Sequence, residues 1–192
     1  MNMKSVLAAS TAVMLAGPVM AEPTAEVLHW WTSGGEAKSV AVLQEQFAAE
    51  GGTWTDMPVA GGGGDAAMTA LRARVLSGNA PTAVQLKGPA IQEWYEETGL
   101  ADIGSVAEEN GWADVLPAQI AEHMKCEGTW CAAPVNVHRV NWIWGNKQIL
   151  DEHGIEMPTT WEEFNAAAEK LQAAGVTPLA HGGQNWQDAT IF

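Results

Sequence analysis

The sequence predicts an α/β fold, with a helix-covered parallel sheet over about the first hundred residues and a different mixture of helix and strand after them. Three observations predict it. Short apolar or alternating runs take turns with helical stripes up to Trp94, in a β-α-β-α-β-α rhythm that calls for a parallel sheet with helices on both faces. Glycine pairs or runs punctuate that rhythm at 34–35, 51–52 and 61–64. After residue 100 the order changes to a helix, a hairpin and a new mixture of strand-like and helical segments.

The elements follow in order. Residues 1–21 read as a cleavable export signal: Lys4 is the positive end, VLAASTAVMLAG the apolar core, and Val19-Met20-Ala21 the cleavage site. EVLHWWT, 26–32, is a first strand, with Gly34-Gly35 as its turn. Val40, Leu43 and Phe47 recur at i, i+3, i+7 and mark a helix ending at Gly51-Gly52. TWTDMPVA, 53–60, alternates as a second strand. Gly61 to Gly64 lead to Asp65 as the expected cap of a helix carrying Met68, Leu71 and Val75. AVQLK, 83–87, is a short strand, followed by Gly88-Pro89 and a helix through Trp94.

Farther on, LPAQIAEHMK reads as a helix, CEGTWCAAPV as a hairpin and NVHRVNWIWGN as an alternating strand. In PTTWEEFNAAAEKLQAAG, Thr160 and Glu163 form a capping box, and Trp161, Phe164, Ala168 and Leu171 form the expected buried stripe before Gly175. TPLAHGGQ is strand-like, and WQDATIF opens a helix inside which the sequence stops. A sequence that stops inside a helical pattern, with no cap and no tail, reads as the N-terminal part of a longer protein.

Composition narrows the functional classes. The chain has 192 residues, a formal net charge of −14, 47% hydrophobic and 17% charged residues, which is a globular rather than a disordered balance. Its acidity argues against nucleic acid and against an anionic membrane surface, both of which reward clustered Lys and Arg. No segment after the signal has the 18 consecutive apolar residues of a membrane span, so no membrane insertion is expected once the signal is cut. Ten tryptophans stand against three phenylalanines and one tyrosine, a ratio that asks for a reason.

Export makes the two cysteines informative. Cys126 and Cys131 bracket EGTW, and Glu127-Gly128 suits a tight turn that would bring the sulfurs to one face. An oxidising compartment favours a disulfide there, the alternative being two free thiols. The spacing is not that of a redox pair.

Ligands of open α/β sheets sit beyond the carboxyl ends of the strands. Three glycine-bearing loops fall at such ends: 31–36, 61–65 and 87–89. Trp30 and Trp31 are adjacent, so one can pack inward while the other lies over the rim, where a flat indole suits the apolar face of a sugar ring. Two core tryptophans are the plainer reading. GGGGD could form a backbone anion nest, but the Lys and Ser/Thr of a P-loop are missing; a flexible loop, or backbone contact to an uncharged hydroxyl, remains. Lys87 could donate to a hydroxyl oxygen or be a solvated surface residue. The five histidines lack paired metal-ligand spacing, Ser33 lies in no nucleophile elbow, and nothing presents a nucleophile with its base.

HWWTSGGE, VAGGGGDAAMTAL, LKGPAIQEW, AAPVNVHRVNWIWGN, MPTTWEEF and PLAHGGQNWQDAT, in that order, resemble the periplasmic sugar-binding proteins of bacterial ABC importers. The likeness is to the glucose/mannose-binding branch of the family 1 extracellular solute-binding proteins. It implies a periplasmic-binding-protein type II-like fold of two α/β lobes closing on a sugar, in a chain about twice this length: after the signal at 1–21, a parallel-sheet first lobe at 22–137 and the incomplete start of a second α/β lobe at 138–192. It also implies delivery of that sugar to a membrane permease, a monomer when full length, and no catalytic residue, cofactor or metal. By resemblance Trp30, Trp31, Glu36 and Lys87 contact sugar from the first lobe, with Gly64 beside them. Asn136, Val137 and His138 form the hinge crossing, His138 also reaching substrate, and Trp186 and Gln187 face the sugar from the other side. Paired cysteines in this hairpin depart from the family. With later ligand contacts beyond the sequence, sugar affinity of the 192 residues alone is expected to be low. A secreted carbohydrate-active enzyme is the competing class; it would need a carboxylate pair at the rim, where only Glu36 and Asp65 stand.

Overall fold

Leu28 has no exposed surface, and the sheet explains why. In the computed structural model, which describes residues 22–191, Leu28 sits on β1 (Thr24–His29), the middle strand of a three-stranded sheet. β2 (Thr53–Pro58) runs parallel on one side, from Thr24 beside Thr53 to His29 beside Pro58. β3 (Ala83–Val84) runs parallel on the other, with Val27 and Leu28 beside Ala83 and Val84. A central parallel strand is flanked on both edges and must be apolar where helices cover it. The expected export signal over residues 1–21 lies outside the described residues.

The contacts divide the chain into two compact units, one through Gln85 and one from Leu86. In the first, α1 (Gly34–Ala49) connects β1 to β2 and packs on β2, burying Val40 and half-burying Leu43 and Phe47. α2 (Asp65–Leu76) packs on β1 with Leu71 and Ala67 inward. Asp65 was expected to cap α2, and here the structure differs. Asp65 is already helical (φ −59°, ψ −42°), and the cap is Gly64, in the left-handed region at φ +88°. A single 3₁₀ turn, Gly62–Gly64, feeds straight into the helix, so the residue that needs glycine's freedom takes the cap position. β3 is shorter than the expected strand at 83–87, ending at Val84.

The second unit holds α3 (Ala90–Thr98), α4 (Gly104–Glu109), α5 (Trp112–Val115) and α6 (Ala118–His123). β4 (Lys125–Cys126) and β5 (Thr129–Trp130) pair antiparallel as the expected hairpin. Its two turn residues, Glu127 at φ +48° and Gly128 at φ +86°, both lie on the positive side, as a two-residue turn matched to strand twist requires. Cys126 and Cys131 are joined in a disulfide, with Cα atoms 5.7 Å apart. Both pack with Ile91 in one apolar cluster, while Trp130, Ala107 and Ala121 build a second, where Trp112 meets Trp130 edge-on at 5.5 Å.

The remaining helices are α7 (Lys147–Glu152), α8 (Trp161–Ala173) and α9 (Asn185–Ile191). The α8 capping box is present: Thr160 Oγ1 accepts the Glu163 N–H at 3.2 Å, and the Glu163 carboxylate accepts the Thr160 N–H at 3.3 Å. The buried stripe is narrower than expected. Leu171 is buried, Phe164 and Ala168 are half-buried, and Trp161 is 59% exposed, touching Phe164 edge-on. NVHRVNWIWGN, read as a strand, carries no regular structure, and neither does TPLAHGGQ. Among the described residues no strand pairs with either segment. An alternating pattern makes a strand only when a ladder partner takes its backbone groups. Trp144 is accordingly 86% exposed.

Candidate functional site

β1 stops at His29 because the next two peptide N–H groups leave the ladder. The Trp30 N–H donates to the Gln85 side-chain oxygen at 3.1 Å, and the Trp31 N–H donates to His29 Nδ1 at 3.2 Å. The sheet's hydrogen bonding continues past both flanks, from Val59 N–H to the His29 carbonyl and from Gln85 N–H to the Leu28 carbonyl, each at 2.8 Å. The two tryptophans are thus delivered at a fixed point on the carboxyl edge of the sheet, each main-chain donor held by a side chain.

The pair divides as alternation requires. Trp31 is 6% exposed and belongs to the core; Trp30 is half-buried. The Trp30 indole lies on Gly64, so close that a β-carbon there would come within 2.9 Å of the ring. The loops after β1 and after β2 are therefore in direct contact.

On the Trp31 side, between α1 and β2, lies a pocket of about 320 Å³ lined by His29, Trp31, Thr32, Gln44, Asp56 and Pro58 among others; Trp30 and Gly64 do not line it. It is a shallow, half-open hollow with an indole, aliphatic walls and a few polar groups. Its electrostatics centre on His29 and Asp56. Because Nδ1 accepts from Trp31, the ring hydrogen sits on Nε2, which donates to Asp56 Oδ1 at 2.9 Å. The Trp54 indole N–H donates to the same oxygen at 3.0 Å. Partial burial works against the Asp56 carboxylate, but the hydrogen bonds from Trp54 and His29 prevail and hold it below the usual aspartate range.

The other sequence-derived positions fall as follows. Glu36 is exposed in the first turn of α1, where a carboxylate complements the helix dipole. Lys87 is exposed in the turn before α3, its carbonyl accepting the Ala90 N–H at 3.2 Å. Asn136, Val137 and His138 are exposed in the irregular stretch before α7. Trp186 and Gln187 open α9 and share a partner: the Trp186 indole donates to the Gln184 side-chain oxygen at 2.7 Å, and the Gln187 oxygen accepts the Gln184 N–H at 3.0 Å. His181 Nε2 and Asp188 Oδ1 close the same turn at 2.5 Å. Contacts on the first unit thus bring Trp30 and Gly64 together, and those on the second bring Trp186 and Gln187 together.

Sequence reasoning passed over His29, Asp56 and Gln85. Each left a signal: a polar residue inside an otherwise strand-like run, in EVLHWWT, TWTDMPVA and AVQLK. Among the described residues no group of three His, Cys, Asp or Glu side chains could hold a metal ion, and no helix is long and apolar enough to cross a membrane.

Known proteins are similar to this chain in sequence and in fold. A protein of Rhizobium meliloti named a probable sugar-binding periplasmic protein is 55% identical over 185 residues, covering 96% of this chain and 45% of the relative. One of Brucella melitensis with the same name is 56% identical over 167 residues, covering 87% of this chain and 40% of the relative. The chain thus spans less than half the length of these relatives. Among solved structures, a chitin oligosaccharide binding protein superposes with a TM-score of 0.65 at 21% identity, over 88% of this chain and 42% of that one. A binding protein from B. animalis subsp. lactis in complex with β-1,6-galactobiose superposes with a TM-score of 0.61 at 20% identity, over 80% and 36%. At such identities these two speak for the fold. The bacterial extracellular solute-binding protein family, whose members bind solutes rather than transform them, matches residues 31–192, and the chain belongs to it.

Proposed function

We propose that the chain belongs to a periplasmic protein that captures a neutral sugar, glucose or a related monosaccharide, and delivers it to an ABC permease. The observation that carries this reading is the half-buried Trp30 laid on Gly64 at the carboxyl edge of the sheet; Trp31, its neighbour in sequence, walls a separate hollow of about 320 Å³. An indole face and a few neutral or singly charged acceptors match a sugar, whose ring is apolar on its C–H face and hydroxylated at its edge. The names of the relatives support the same class. Glu36 and Lys87 are the proposed polar contacts, with His138, Trp186 and Gln187 as further ones. Asn136–His138 is the proposed crossing from a first lobe, 22–137, to a second, in a protein that works as a monomer. Residues 1–21 are its export signal.

The competing enzyme reading has little behind it, because the relatives are named as binding proteins. Titrating the ¹⁵N-labelled two-lobed protein to which the chain is proposed to belong with D-glucose, D-mannose, D-galactose and D-xylose, and following the indole N–H signals, tests the proposal. Saturable shifts with one or two of the four are expected. Turnover of an aryl glucoside, or no response to any sugar, would overturn it.

A further inference from the structure

We propose that His29 is a positioning residue: as a neutral imidazole it fixes the main chain at Trp31, and Asp56 fixes the imidazole. This rests on the sugar reading only in taking Trp31 as part of the ligand platform. Three observations converge on it. His29 is 5% exposed, the one polar residue among the buried core side chains described. Its two ring nitrogens are both engaged, and in opposite senses. Nδ1 accepts the Trp31 N–H at 3.2 Å, which demands a lone pair there, and Nε2 donates to Asp56 Oδ1 at 2.9 Å, which demands the hydrogen there. Asp56 is in turn held by the Trp54 indole at 3.0 Å.

The bond to Trp31 spans only two residues, so it closes a small ring of side chain and main chain exactly where β1 ends. Without it the Trp31 N–H would need another acceptor at a buried position, and the backbone would turn to find one. A turn of the backbone there swings the indole that walls the pocket. His29 therefore acts on a ligand through Trp31, with Asp56 selecting the tautomer that makes the contact possible.

Two substitutions separate the two contacts. In His29→Asn the amide oxygen takes the place of Nδ1 and can still accept from Trp31, while the reach to Asp56 is lost. In His29→Gln the amide sits near the place of Nε2 and can still donate to Asp56, while Trp31 loses its acceptor. Long-range ¹H–¹⁵N spectra of the ¹⁵N-histidine-labelled protein read the tautomer directly, with the His29 signal assigned by its loss in the Asn variant. The expected result is hydrogen on Nε2 only. The Trp31 amide and indole signals should stay near their wild-type positions in His29→Asn and move in His29→Gln. Affinity for D-glucose, read from the same titration, should hold within about twofold in the first and fall roughly three- to tenfold in the second.

A residue that mattered only for folding would make affinity indifferent to which contact survives. A signal with hydrogen on Nδ1, or a folded Gln variant with Trp31 unmoved, would overturn the proposal. Should the Gln variant not fold, the wild-type tautomer and the Asn variant still decide. Absence of any glucose response in the wild type would instead count against the sugar reading, and the tautomer and Trp31 signals would still judge His29.

Discussion

Arg74 grips both carboxylate oxygens of Glu26, Nη1 to Oε1 at 2.9 Å and Nη2 to Oε2 at 2.6 Å, and so ties α2 to the central strand. The same guanidinium donates from Nε to the Asn79 carbonyl at 2.7 Å, fixing the turn that leaves α2. A two-pronged pair of this kind orders both side chains and is the strongest form of ion pair available to a carboxylate. The hydrogen bonds from Arg74 lower the Glu26 pKa below its ordinary 4.5.

A depressed carboxylate stabilises the fold while ionised, above the pKa it has in the unfolded chain. That stabilisation disappears as pH falls through the lower, folded value. Glu26→Gln should therefore be less stable than wild type at neutral pH, with the difference closing as pH drops below about 4.5. Urea melts of both proteins from neutral to acid pH would reveal it. A constant difference across that range would mean that the contact acts through packing alone.

Gly64 should not tolerate a side chain. Alanine there would hold a left-handed backbone and press its methyl into the Trp30 ring, at a cost of roughly 2 to 4 kcal/mol. Gly78 is the control: its φ is +72°, but nothing lies within 4 Å of the position a β-carbon would take. Gly78→Ala should cost only the backbone share, about 1 kcal/mol. Equal losses in the two variants would mean that the contact between Trp30 and Gly64 carries no energy.

The bond between Cys126 and Cys131 closes a short loop, so it should contribute about 2 kcal/mol, chiefly by restricting the unfolded chain. Alkylation of protein from an oxidising compartment should add no mass before reduction and two labels after it. The reduced form should unfold at lower denaturant. Two labels without reductant would show the thiols to be free.

What was legible in the sequence was whatever depended on neighbours in sequence. β1, α1, β2 and α2 follow from alternation, helical stripes and glycine punctuation, and the Thr160–Glu163 box is a four-residue motif. The hairpin at Glu127-Gly128 is equally local. NVHRVNWIWGN alternates as a paired strand would, but among the described residues no strand pairs with it, so the pattern alone makes no strand. The site was half legible for the same reason. Trp30, Trp31 and Gly64 stand out as residue types, whereas Gln85 acts on Trp30 across 55 positions and Asp56 on His29 across 27. Such partners are visible only when the sheet brings three strand ends together.

The two tryptophans should part company under mutation. Trp31 is a core residue with 6% exposure, so Trp31→Ala opens a cavity and should cost about 3–5 kcal/mol of stability. Any fall in sugar affinity would then come along with a loosened fold. Trp30 is only half-buried, and one side of its ring is taken by Gly64. If the rest of the ring meets the C–H face of a hexose, about 100 Å² of apolar contact contributes roughly 2.5 kcal/mol to binding. Trp30→Ala should therefore lose on the order of fiftyfold or more in D-glucose affinity, with a smaller stability loss than Trp31→Ala. Denaturant melts and glucose titrations on the same preparations separate the two effects. A Trp30→Ala protein that binds glucose as wild type does would place the ligand elsewhere and leave Trp30 as a lid on Gly64.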